Sequence, residues 1–210
     1  MRDTNRKNMI ILFFTLVVVM MGFGMILPLL GFYVESFGAG GVALGLLTAS
    51  YALMQFIFAP LWGQLSDRYG RKPILLIGIL GNALTQLLFG LSTELWMLFA
   101  ARALAGILSS ATGPVAMAFI GDSTSEEQRS GGMGLMGAAM GVGMVLGPGL
   151  GGLLARDSLS LPFFVASALS VLALVLVVLL LPESLPEHDR KRETTLRGPQ
   201  LAELWRGPFR

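Results

Sequence analysis

Charge is scarce in this chain and gathers in a few places. The run GQLSDRYGRKP, residues 63–73, sets Asp67, Arg68, Arg71 and Lys72 between two long apolar stretches. Gly63 and Gly70 within it suit a close backbone approach or a positive φ. Arg68, Arg71 and Lys72 read as the basic anchors of a loop, a role to which Asp67 adds nothing. Arg102 stands alone inside the apolar run LFAARALAGILSS. If that run crosses a bilayer, Arg102 lies on the order of 10 Å below the outer boundary, counted from Leu95. An arginine at a helix centre costs about 2.5–3.5 kcal/mol there, so a cavity-facing position is expected, with snorkelling to the outer headgroups as the alternative. In GVGMVLGPGLGGLL, Gly143, Gly147 and Gly151 recur every four residues, which places them on one helix face open to another backbone. Pro148, beside them, removes a donor and bends that helix.

The elements that hold these residues follow from composition. Hydrophobic residues make up 54% of the 210 and charged ones 13%, the signature of a membrane chain. No cysteine is present, so disulfides and thiolate metal sites are excluded, and no metal or other cofactor is implied. A formal charge of +2 offers no basic strip for nucleic acid. A ruler of about 20 apolar residues finds six spans, at roughly 9–34, 42–64, 74–92, 95–120, 131–155 and 161–182. Each is expected to be a helix, because the hydrocarbon layer cannot satisfy an open backbone. The first is too long for a signal-peptide core and lacks a cleavage site. The fold class is therefore all-α integral membrane, with residues 1–8 as an N-terminal segment, 9–182 as the bundle and 183–210 as a tail or linker.

Orientation comes from Lys and Arg in the connections. One side holds Arg2, Arg6, Lys7, Arg68, Arg71, Lys72, Arg129, Arg190, Lys191, Arg192, Arg197, Arg206 and Arg210, and the other holds Arg156. Both termini are expected in the cytoplasm, with GQLSDRYGRKP as the turn between the second and third helices.

The spacing G-x-x-x-D-R-x-G-R-K resembles the signature loop of the major facilitator superfamily of secondary transporters, with every motif position filled. The resemblance implies a bundle of two inverted three-helix repeats, the N-terminal half of a drug:proton antiporter of the multidrug or tetracycline efflux type. It implies that Asp67 and Arg71 form a cytoplasmic gate against a helix end of the other half. The physics suits such a role, since a carboxylate is favoured at a helix N-terminus and arginine satisfies helix-end carbonyls. Arg102 and Gly106 match the R-x-x-q-G pattern tied to proton transfer, although Ala105 replaces its polar residue. Gly143, Gly147, Pro148, Gly151 and Gly152 match the fifth-helix antiporter motif, which otherwise reads as helix packing. In the first helix Gly22 and Pro28 match the drug:proton pattern, while Gly31 replaces its second proline.

Substrate-cavity candidates are Gln55, Asn82, Thr85, Gln86 and Arg102, with Met25, Tyr51 and other aromatic and Met residues, among them Phe13, Phe14, Met20, Met21 and Met54, as an apolar wall. A polar residue at such depth is more often an interhelical hydrogen bond than a ligand contact, and each apolar one equally suits a lipid-facing position. No acid lies mid-span, leaving Glu35 at the outer end of the first helix as the nearest proton carrier if burial raises its pKa, or as an exposed loop acid. The implied partners are the lipid bilayer, a small-molecule substrate with protons, and a C-terminal six-helix half, in the same gene or as a second copy. Within the tail, QLAELWR suits a short interfacial helix. An intramembrane serine protease is excluded because His188, the one histidine, lies in that tail. No charged ring or carbonyl filter suggests a channel. The localisation expected is a bacterial inner membrane.

Overall fold

The computed structural model describes residues 2–124, 126–185 and 190. The predicted helix at QLAELWR, His188 and the basic residues after Arg190 lie outside the described residues. The described chain forms α1 (Arg2–Ser36), α2 (Gly41–Tyr69), α3 (Arg71–Gly90), α4 (Leu95–Leu108), α5 (Thr112–Ser123), α6 (Glu126–Leu154) and α7 (Leu161–Leu180), with no strand among the described residues. Among the described residues, six helical stretches are long and apolar enough to cross a membrane, α4 and α5 together making the fourth.

Two boundaries differ from the sequence expectation. The segment 63–73 is not a turn: α2 continues through Tyr69, Gly70 alone is non-helical at φ 107, and Arg71 opens α3. Apolarity fades where the helix leaves the hydrocarbon, but a helix in water or headgroups has no reason to stop there. Gly70 ends it because positive φ is strained for any residue with a Cβ. The fourth span is broken by a 3-10 turn, Ser109–Ala111. Pro114 lacks the N–H that would reach the Ser110 carbonyl, and its ring crowds that oxygen. At the break, Trp62 Nε1 and Ser110 Oγ both donate to the Ile107 carbonyl, at 2.5 and 2.9 Å.

The principal packings run α6 to α1 to α7 to α3 to α4 to α2. Along this series the core has layers. At one end Leu12, Leu16, Leu75, Ile79, Phe119 and Val177 pack together. At the other, Tyr33, Phe89, Leu98 and Phe163 do so, with Phe89 and Phe163 stacked at 5.4 Å. Between these apolar ends lies a thinner layer of Met21, Met25 and Ala166. Here α3 and α7 are joined by Asn82 Nδ2 donating to Ser170 Oγ at 2.9 Å and Ser167 Oγ to the Ala83 carbonyl at 2.8 Å. Such bonds hold apolar helices in register where burial alone gives little specificity.

A charged helix corner and a buried arginine

Helix reversal brings the ends of α2, α5 and α7 and the start of α3 to one side of the bundle, and Arg71 joins them. Its Nη1 contacts Asp67 Oδ1 at 2.5 Å and Ser66 Oγ at 2.7 Å, while Nε meets Asp122 Oδ2 on α5 at 2.8 Å. Asp67 and Arg71 face each other because the α2–α3 corner spends only Gly70 on the reversal. The sequence reading missed Asp122, Glu183 and Ser66, since a count of Lys and Arg takes no account of acids or hydroxyls. A lone acid at each of two span ends, GDS and PES, was the available signal.

Glu183 caps α3. Its Oε1 accepts from the Arg71 N–H at 2.8 Å and its Oε2 from the Lys72 N–H at 3.2 Å, satisfying orphan donors where the helix dipole favours an anion. Oε1 also accepts from the Ser184 and Leu185 N–H groups. Lys72 Nζ donates to the Val178 carbonyl in the last turn of α7, at 2.9 Å. The α3 start and the α7 end thus cap each other. Glu183→Ala should lower the unfolding free energy in detergent by about 1–2 kcal/mol, and Glu183→Gln by less, because an amide oxygen still accepts one N–H. Equal thermal stability of all three proteins would show that the cap contributes nothing.

Other motif residues separate. Arg68 lies over the neighbouring Tyr69 ring rather than on Arg71. Gly63 has no positive φ and no described atom within 4 Å of where a Cβ would sit, so the expected close approach there is not made within this bundle. On α6 the expectation of a packing face holds: a Cβ on Gly143 would lie 2.8 Å from the Val17 carbonyl, one on Gly147 2.6 Å from the Met21 carbonyl, and one on Gly151 3.3 Å from Met25. Pro148 touches the same α1 surface near Gly24, whereas Gly152 faces open space. The helix runs unbroken through Pro148.

Arg102 does not face an open cavity. It is 2% exposed, with Nε lacking a hydrogen-bond partner and no carboxylate at ion-pair distance among the described residues. Its guanidinium instead lies 5.4 Å from the Tyr51 ring centroid and 5.5 Å from that of Phe89. Phe23 of α1 meets the Tyr51 ring at 5.6 Å, so α1 backs the α2 aromatic that the α4 arginine lies against. Ring quadrupoles replace the water that the sequence reading required. Gly106 permits the arrangement, because a Cβ there would strike the Tyr51 carbonyl at 2.6 Å. One turn from Phe89, Gln86 is buried against Gly22 with both amide heteroatoms unpartnered.

The remaining candidates divide similarly. Asn82 and Thr85 are buried in hydrogen bonds, the former interhelical and the latter to the carbonyls of its own helix. Met25 is fully buried against α6 and α7, which removes it from any cavity wall. Gln55 and Glu35 are exposed, and Glu35 has none of the burial its proton-carrier reading required.

Residues 12–210 match the Major Facilitator Superfamily. The tetracycline resistance protein, class H, of Pasteurella multocida is 42% identical over 85% of this chain and 45% of its own length. The quinolone resistance protein NorA of Staphylococcus aureus (strain MRSA252) is 33% identical over 90% of this chain and 47% of its own. The chain spans about half the length of these relatives. The crystal structure of the human organic anion transporter MFSD10 superposes with a TM-score of 0.79 at 28% identity, over 89% of this chain and 50% of that one.

Proposed function

Because the chain belongs to the major facilitator superfamily, we propose that it is one six-helix half of a proton-coupled exporter of small amphipathic drugs or metabolites working by alternating access. It is a multi-pass integral membrane protein. In this reading the membrane is a bacterial inner membrane and both termini are cytoplasmic, following the excess of Lys and Arg.

The observation that carries the proposal is Arg71 held between Asp67 and Asp122 at the α2–α3 corner. Partly exposed ion pairs are individually weak, worth about 1 kcal/mol or less, so a network of them suits a gate that opens and recloses in each cycle. A second half is supported by the open faces of α2 and α6. Only 6% and 22% of their most apolar stretches are buried, against 61% for α3. Gly45 and Gly63 on α2 and Gly134, Gly137 and Gly141 on α6 have no described atom within 4 Å of the position a Cβ would take. Lipid needs no such row of small residues, while a packed helix does. The occupant is a C-terminal half or a second copy. With Glu35 exposed, the principal proton carrier is assigned to that partner.

The test is substrate-dependent proton flux in liposomes containing the chain alone or together with a six-helix C-terminal half from a tetracycline resistance relative. Flux is expected in the combined vesicles, and Asp67→Asn should cut it at least tenfold with insertion unchanged. Flux from the chain alone would assign the second half to another copy. Absence of flux in both would leave a non-transporting fragment, and wild-type turnover of Asp67→Asn would sink the gate.

A further inference from the structure

On the surface of the bundle, α1 and α7 leave an apolar crevice that neither the gate nor the buried arginine uses. Its mouth, at the start of α1, is a groove of about 490 Å³ lined by Lys7, Asn8, Ile10, Ile11, Leu180 and Pro182. Further along the same two helices a pocket of about 150 Å³ lies among Phe14, Val18, Leu172 and Leu176. From residue 7 to residue 18 a helix rises about 16 Å, close to the depth of one leaflet of a roughly 30 Å hydrocarbon core. Phe14, Leu172 and Leu176 are exposed, so the crevice opens sideways rather than towards Arg102.

We propose that this crevice binds one anionic glycerophospholipid, with its phosphate on the Lys7 ammonium and an acyl chain laid between α1 and α7. Among the described side chains, the groove lining contains a cation and a neutral amide at the headgroup end and no acid. That selects an anionic headgroup over a zwitterionic one, whose own cation gains nothing there. Lys72 is not among the described residues that line the groove. Below the mouth the lining is almost wholly apolar, which suits a hydrocarbon chain better than an amphipathic solute with polar groups to satisfy.

The test is native mass spectrometry of the purified full chain with dioleoyl phosphatidylglycerol or dioleoyl phosphatidylcholine added at equal concentration. The anionic lipid should be retained at least fivefold better. Lys7→Gln should erase that preference and Lys7→Arg should keep it, while Val18→Trp, from a half-buried residue of the deeper pocket's lining, should lower retention of both lipids. Equal retention of the two lipids by the wild-type chain, or an unchanged preference in Lys7→Gln, overturns the proposal. So does efficient disulfide formation between copies carrying Phe14→Cys in membranes, because it would put protein, not lipid, over the crevice. None of these outcomes depends on whether the chain transports anything.

Discussion

Gly147→Val should be among the most disruptive single substitutions in this protein. Even a methyl at that position would sit 2.6 Å from the Met21 carbonyl and 2.9 Å from the Gly24 backbone. Neither is a flexible side-chain end, so relief requires α1 and α6 to move apart. That separation would also loosen the contacts at Gly143 and Gly151, since the three share one face. Overpacking of a tight interface costs about 1–3 kcal/mol and more when backbone must shift. An expected loss of about 3 kcal/mol corresponds to over a hundredfold in the folding equilibrium. The control is Gly152→Val, one of the same motif's glycines with open space around it. Thermal unfolding in detergent should show a large drop for the first and almost none for the second. Equal behaviour of the two variants would mean that the α1–α6 approach is not as close as described.

The contrast between those glycines marks what could be read from the sequence. Period-four spacing placed Gly143, Gly147 and Gly151 on one face, and it was right because helical geometry alone fixes that relation. Gly152 belongs to the same motif but points elsewhere, and a motif does not say which face a residue occupies. The six spans were legible because apolar length is a strong signal in a chain with 13% charge. The ends were not: hydropathy marks where the hydrocarbon stops, while Gly70 and Pro114 mark where the backbone changes course. Asp67 and Arg71 were visible as neighbours in sequence. Their third member, Asp122, and the cap from Glu183 come from 51 and 112 residues away, distances at which only tertiary packing supplies the pairing.

Arg102→Met is expected to separate transport from stability. The cost of an arginine at a helix centre, about 2.5–3.5 kcal/mol, is set against two ring contacts of about 0.5–2 kcal/mol each. The sum lies near zero, so an unbranched apolar side chain of similar reach should leave the bundle as stable or up to about 1 kcal/mol more so. A residue that adds no stability yet lies against two aromatic rings and leaves Nε without a partner is expected to be used in a state where an anion reaches it. In the two-half liposome assay, Arg102→Met should therefore reduce proton-coupled flux at least a hundredfold while its unfolding temperature stays at or above wild type. Arg102→Lys should recover part of the flux, since it keeps the charge but not the flat face that lies against Tyr51 and Phe89. A large loss of stability in Arg102→Met would instead make the arginine a packing element held by its rings. Wild-type flux in a stable Arg102→Met protein would remove it from the transport cycle altogether.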